Sequence, residues 1–438
     1  MKQMSMTEAP VEKLVLKLAV PTIITMIVTA LYNSADTYFI GQTDTNSTAS
    51  VGVAFSLMAI IQAIGFFFGH GSGNYMARKL GEGNKEDSDV MAITGILLSF
   101  IIGLIITVFG LLFVKPLCVF MGATKNMIET SVKYTSLILI AAPFMVTSFT
   151  MNNQLRFQGK AFLGMIGMTT GAILNVILDP IFIFGFNMGI TGAALATAIS
   201  QFISFVILLI MKEFRFSQIK KFSMRKEIRN SMVSYGMPSL IRQSVGSVAA
   251  VCINNVAGNY SEAVIAAVSI VNRITMIGAS VVIGFGQGFQ PVCGFNLGAK
   301  KTDRVIKAYS FCVKFSTIFM FILAVIIFII APFIIKLFRD DIDVIKSGTA
   351  ILKYQCFTFA FQGVTIMTNM LLQNMGETYK ASFLAIARQG IFFIPIVFAL
   401  SYLLGLRGLE MSQAISDTLS FLVTIPMAIT AIRKLKSE

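Results

Sequence analysis

The run LVLKLAVPTIITMIVTALYNSADTYFI, Leu14 to Ile40, decides the class of fold. About 20 apolar residues suffice for a helix to cross the hydrocarbon of a bilayer, and this run exceeds that. Its only full charges are Lys17 near the start and Asp36 near the end. A carboxylate at the centre of a bilayer costs roughly 2.5–3.5 kcal/mol on insertion scales. Something must offset that cost at Asp36, and the choice lies between solvent at the helix end, a capped backbone, a proton and a bound cation.

The rest of the chain reads as membrane protein too. Hydrophobic residues make up 55% of the 438 and charged ones 13%, with a mean hydropathy of +0.79. Soluble domains carry about twice that share of charge. There is no Trp among 39 Phe and 10 Tyr, so an aromatic belt would rest on Tyr and Phe. The net charge of +14 does not indicate nucleic acid, because the basic residues fall in short gaps between apolar runs. That pattern is the topological bias of bacterial-type inner-membrane proteins. The five cysteines are scattered and form no CxxC, which indicates neither a disulfide framework nor a zinc site. The polar start MKQMSMTEAPVEK shows no cleaved signal, so the first helix is expected to be retained.

Cutting at polar, Gly and charge clusters gives twelve apolar segments, beginning near Leu14, Ala49, Val90, Ile128, Leu163, Ile190, Met232, Ala263, Val305, Gly348, Ser382 and Leu409. No alternating strand pattern suggests a barrel, so helices must satisfy the backbone in lipid. With both termini cytoplasmic, about 22 Lys and Arg lie inside and about 6 outside. The longest polar stretch, KEFRFSQIKKFSMRKEIRN from Lys212 to Asn230, falls inside and at mid-chain.

A shift of about 217 residues then aligns the two halves. Pro21 meets Pro238, Phe68-Gly69-His70-Gly71 meets Phe285-Gly286-Gln287-Gly288, Asn152 meets Asn369 and Gly159 meets Gly376. One residue less aligns Gly189-x-x-Gly192 with Gly405-x-x-Gly408. The expected fold is all-α and integral to the membrane. It has twelve transmembrane helices in two pseudo-symmetric six-helix bundles around a central cavity. The expected divisions are 1–211, a basic linker 212–231, and 232–438.

Polar residues inside the helices carry the function. Asp179 in NVILDP has Asn175 four residues before it, on the same helix face. Thr197 sits among small residues in GAALATAIS. Two carboxylates, an amide oxygen and a hydroxyl are hard donors that could hold sodium. They could equally share a proton, since burial and a neighbouring like charge both disfavour ionisation. The alternative is that each Asp is solvated or caps a helix end. His70 is the only histidine and reads as structural or interfacial. The glycines of GHGSG and GFGQG lack the following GK[ST] of a phosphate loop and suit close helix packing. Arg242, Arg273 and Arg388 should pair or snorkel, Arg388 by snorkelling, with Asp417 a possible partner for one of them. RDDID, Arg339 to Asp343, reads as a solvated turn rather than a metal motif.

Taken together, the two six-helix halves, the basic linker, AVPTIITMIVTALYNSADTYFIGQ and NQLRFQGKA resemble the MATE (multidrug and toxic compound extrusion) transporters, in their bacterial DinF-like or MepA-like branches. The resemblance covers essentially the whole chain. It implies an antiporter, not an enzyme, that exports organic and often cationic compounds in exchange for protons or sodium. It also implies a first-lobe cation site with an Asp on helix one, an Asn and Asp four apart on helix five and a Thr on helix six. Those types match Asp36, Asn175, Asp179 and Thr197. The acids that some members carry on helices seven and ten are absent here, with no acid from Met232 to Gly258 and none in helix ten before Glu377. Coupling is therefore expected in the first half, and Asp417 is the only deep acid of the second.

Tyr32, Asn33, Met151, Asn152 and Asn369 are candidates for the substrate cavity. No cofactor beyond H+ or Na+ and no metal site beyond that ion is expected. The expected partners are organic small molecules and lipid, and two fused halves should suffice as a monomer. A lipid-linked oligosaccharide flippase is the alternative, and the three arginines are what keeps it open. A membrane-embedded transferase would need a metal-spaced acid cluster or a His–Asp pair, neither of which is present. A channel would need one polar helix repeated around a pore.

Overall fold

A computed structural model of the chain describes residues 4–43 and 45–437, apart from the side chains of Met4, Ser5, Asn33, Thr45, Asn46, Thr48, Ala49 and Phe216. The candidate Asn33 side chain thus lies outside the described residues. The described chain is helical almost throughout and holds no strand, as expected where lipid leaves no water to meet an open backbone. The helices are α1 (Met4–Glu8), α2 (Val11–Gly41), α3 (Thr45–Gly81), α4 (Lys85–Leu112), α5 (Val114–Phe120), α6 (Ile128–Phe157), α7 (Ala161–Pro180) and α8 (Gly189–Met211). They continue with α9 (Lys226–Gly258), α10 (Glu262–Gly298), α11 (Thr302–Phe338), α12 (Ile342–Cys356), α13 (Phe359–Met375), α14 (Thr378–Ile386), α15 (Phe393–Leu404) and α16 (Leu406–Ser437). Two π-helical turns, Ile181–Gly185 after α7 and Ala387–Phe392 between α14 and α15, interrupt the regular pattern.

Ten of these stretches are long and apolar enough to cross a membrane. The other two of the twelve expected crossings fall on α9 and on α12 with α13. α9 is long but carries Arg242, Gln243, Asn254 and Asn255. The segment expected as one helix ten is broken at Phe357-Thr358, where the backbone N–H and the hydroxyl of Thr358 both turn back to the Gln355 carbonyl, at 3.0 and 3.1 Å. The RDDID run is a helix cap. The Asp341 carboxylate accepts from the backbone N–H groups of Asp343 and Val344 at the start of α12.

The chain divides into two compact units. The first is Ile24–Leu240, and the second is Met4–Ile23 together with the chain from Ile241 onward. The handover falls within α2 at Ile23–Ile24 and within α9 at Leu240–Ile241, each two residues past a proline, Pro21 and Pro238. These are the two prolines that the repeat superimposes. In the first unit α6 is the central helix, buried along most of its length. The basic segment before α9 docks on α4. Lys221 pairs with Asp89 at 3.2 Å, Arg225 with Asp87 at 3.7 Å, and the Ser223 backbone N–H donates to the Thr94 hydroxyl at 3.2 Å.

The glycine clusters are packing devices, as expected. A Cβ on Gly71 would strike the backbone carbonyl of Met232, within the first unit. A Cβ on its repeat mate Gly288 would lie 2.5 Å from the Ala19 nitrogen and 2.6 Å from its Cα, within the second. Backbone cannot step aside as a flexible side chain can. Gly288→Val should therefore cost about 1–3 kcal/mol or more and lower the melting temperature in detergent, whereas a neutral outcome would mean that α2 and α10 do not approach this closely. The shorter glycine pair also matches. Gly189 and Gly405 both take left-handed φ, +54° and +61°, which L side chains adopt at a cost.

Candidate functional site

The first unit gathers the four expected polar residues. The second half of α2 carries Asp36, 8% exposed, and α7 carries Asn175 and Asp179 one turn apart, Asp179 fully buried. α8 brings Thr197, flanked by buried Ala193, Ala194 and Ala196. These small residues keep α8 close to its neighbours, and Gly192 admits the backbone of Phe182, whose carbonyl carbon lies 2.8 Å from where a Cβ would stand. Pro180 ends the regular part of α7, and the π turn that follows re-routes the backbone beyond Asp179.

The Asn175 amide nitrogen donates to the Asp179 carboxylate at 3.3 Å and to the Thr197 hydroxyl at 3.2 Å. With its N–H groups so engaged, the amide oxygen faces the other way. The Asn175 Oδ1, Asp36 Oδ1 and Asp179 Oδ2 atoms are all buried and none accepts a well-formed hydrogen bond among the described residues, although the Tyr134 hydroxyl lies beside the Asp36 carboxylate. Asp36 lies within electrostatic reach of Asp179, and both act on Tyr32 and on the buried Tyr134 of α6. Neither aspartate caps a helix end. Three acceptor oxygens held out of water without a well-formed hydrogen bond are costly alone, and they suit a visiting cation or proton. The donor set is all oxygen, as a hard cation requires.

The remaining candidates are dispersed. Tyr32 is half-buried beside the aspartates. Met151 is buried in an apolar cluster with Leu155, Met168 and Leu208. Asn152 is half-buried and its Oδ1 faces Gly164 of α7. Asn369 belongs to the second unit, where its Oδ1 accepts from Arg242 at 3.1 Å and its amide donates to the Ala381 carbonyl at 2.6 Å. Arg388, expected to snorkel, instead forms an ion pair with Asp417 at 2.8 Å. The π turn that holds Arg388 keeps its head within reach of α16, where a buried carboxylate is a better partner than distant water.

The sequence reasoning missed two residues here. Tyr134 lies in an apolar helix with nothing nearby in the sequence to mark it, yet its buried hydroxyl stands beside Asp36 and Thr197. Arg156 sits in NQLRFQGKA, which reads as a turn, but α6 runs on to Phe157 and buries it. Arg156 donates to Asn153 Oδ1 at 2.5 Å and meets His70 Nε2 at 3.2 Å. Arginine only donates, so Nε2 accepts and Nδ1–H donates to the Phe66 carbonyl at 3.1 Å. His70 is thereby a neutral structural residue, stacked on Phe66. The polar NNQ ahead of Arg156 is the sequence signal that its charge has buried partners.

A family model described as MatE matches residues 21–181 and again 238–400. The chain belongs to this MATE family. The two matches start at the spacing of the internal repeat, and each opens at one of the two paired prolines. The multidrug export protein MepA of Staphylococcus aureus (strain MSSA476) is 28% identical over 425 residues, 95% of this chain and 93% of that protein. Among solved structures, a MATE protein crystallised with MaL6 has a TM-score of 0.94 at 26% identity, covering all of both chains. An outward-facing multidrug resistance MATE transporter has a TM-score of 0.92 at 26% identity, over 100% of this chain and 99% of that one. The protein is thus a multi-pass membrane transporter of MATE fold over its whole length. The oligosaccharide flippase alternative is not favoured by these matches.

Proposed function

We propose that this MATE protein is a secondary active antiporter that exports organic, often cationic compounds in exchange for H+ or Na+, coupled through Asp36, Asn175, Asp179 and Thr197. The observation that carries the coupling site is the set of three buried oxygens on Asp36, Asn175 and Asp179 that accept no well-formed hydrogen bond among the described residues. A positive ion arriving from outside neutralises the aspartates, and its departure to the cytoplasm restores their charge. The two loading states differ in the electrostatics that hold α2, α7 and α8 together, and a ligand shifts an equilibrium only through such a difference. A cationic substrate and the coupling ion then favour opposite states of the carrier. One charge moving through about 100 mV supplies about 2.3 kcal/mol, which sustains a gradient of roughly 50-fold.

The protein works in the bacterial-type inner membrane with both termini in the cytoplasm, takes small organic molecules, needs no cofactor beyond the coupling ion, and suffices as a monomer. The test is dye efflux from energised vesicles with the sodium and pH gradients imposed separately. Efflux should follow one gradient and collapse when that gradient is dissipated. Dye movement indifferent to both would overturn the antiport reading.

A further inference from the structure

The second unit forms an open-sided cavity of about 430 Å³, within the range that holds drug-sized ligands. Two arginines line it, Arg242 from α9 and Arg388 from the π turn before α15, and no Asp or Glu is among its lining residues. The nearest compensating acid, Asp417 of α16, stands behind Arg388 rather than in the wall. Its carboxylate accepts from Arg388 Nε at 2.8 Å, Gln413 at 2.8 Å and Gln362 at 3.0 Å. Three donors on one carboxylate fix its position, and Asp417 occupies only the Nε position of Arg388. Arg242 is held by Asn369, whose oxygen is aimed by the Asn369–Ala381 bond. Gln389, from the same turn as Arg388, also lines the cavity. The opposite chemistry comes from Met276, Ile283, Met370 and Phe393, which give the wall an apolar portion among neutral polar side chains such as Asn272, Thr275 and Gln355.

Charge inside a membrane is retained where something meets it. Two guanidinium groups against one carboxylate set behind the wall leave a net positive cavity. A planar guanidinium matches a carboxylate or phosphate with two parallel hydrogen bonds. We infer that this cavity binds an amphiphilic organic anion, its carboxylate or phosphate head on Arg242 and Arg388 and its apolar body on Met276, Met370 and Phe393. The assignment goes beyond the cation-coupled transport proposed above, because it lies in the other unit and takes the opposite charge. The same head chemistry is offered by a soluble carboxylate and by an anionic lipid headgroup.

The experiment uses the full chain in phosphatidylcholine nanodiscs, with radiolabelled 1-naphthoate as the probe and uncharged 1-naphthamide as its matched control. Wild type should bind naphthoate saturably and naphthamide at least about tenfold more weakly, the worth of one charge-assisted pair. Arg242→Gln should weaken naphthoate about tenfold or more and leave naphthamide unchanged, and Arg242→Lys should fall between. Arg388→Gln disturbs the Asp417 network, so Arg388→Gln with Asp417→Asn is measured beside it and should show the same selective loss. In phosphatidylglycerol nanodiscs, unchanged naphthoate affinity assigns the site to a soluble anion, and competition by the lipid assigns it to the headgroup. Asp36→Asn should leave this binding intact, which separates failure here from failure of ion coupling. Equal binding of naphthoate and naphthamide, or wild-type naphthoate affinity in a folded Arg242→Gln protein, would overturn the assignment.

Discussion

Asp36→Asn should bring ion-driven efflux down to the level of vesicles lacking the protein, while the melting temperature in detergent stays the same or rises. Both halves of this outcome come from the same geometry. The Asp36 carboxylate is buried with one oxygen that accepts no well-formed hydrogen bond among the described residues, so its charge is costly until an ion or proton arrives. An amide of the same shape removes the charge that an arriving ion neutralises, and with it the difference between the loaded and empty states. The amide also removes a buried charge that no cationic side chain among the described residues balances, which is neutral to favourable for stability. A purely structural Asp36 would behave in the reverse way, with lost stability and partial activity. Asp179→Asn should match it in efflux. Asn175→Ala should be milder, because it takes away one neutral ligand and frees the Asp179 and Thr197 oxygens that its amide now contacts. Efflux by Asp36→Asn at the wild-type rate would remove the coupling role from this residue.

The sequence was readable where lipid dictates the answer and opaque where the interior does. Apolar length accounts for ten of the twelve expected crossings, and the glycine spacing predicts a repeat that the positive-φ pair Gly189 and Gly405 reproduces in the backbone. The Asn175–Asp179 face is fixed by helical periodicity, so its pairing was legible, and only the tertiary fold could add Thr197 at 3.2 Å. The break at Phe357-Thr358 was hidden because a phenylalanine and a threonine do not lower hydropathy, and the break depends on where Thr358 finds an acceptor. The π turn at Ala387–Phe392 was hidden for a similar reason, since ARQGIF carries no proline. The burial of Arg156 was not legible because a charge usually marks a helix end, whereas here Asn153 and His70 receive it inside the unit. In each miss a polar group found a buried partner that no local pattern encodes.

Arg388→Gln should be the more damaging half of an unequal pair. The Asp417 side chain is 1% exposed and that of Arg388 24%. Removing the arginine strands a carboxylate with only the two neutral amides of Gln362 and Gln413, and stranding a buried charge costs about 3–5 kcal/mol. Asp417→Asn instead strands a guanidinium that already reaches the cavity, where water can solvate it, so its cost should be smaller. The double variant carries no charge in either place and should recover most of what Arg388→Gln loses. Melting temperatures of the four proteins in one detergent close the cycle. Additive losses would mean that the two side chains act separately, and that Arg388 is held in the π turn by its backbone alone, through its carbonyl bond to the Ser416 hydroxyl. Strong coupling would mean that Asp417 anchors one wall of the cavity, so that the position of a cavity arginine is set by a residue outside the cavity.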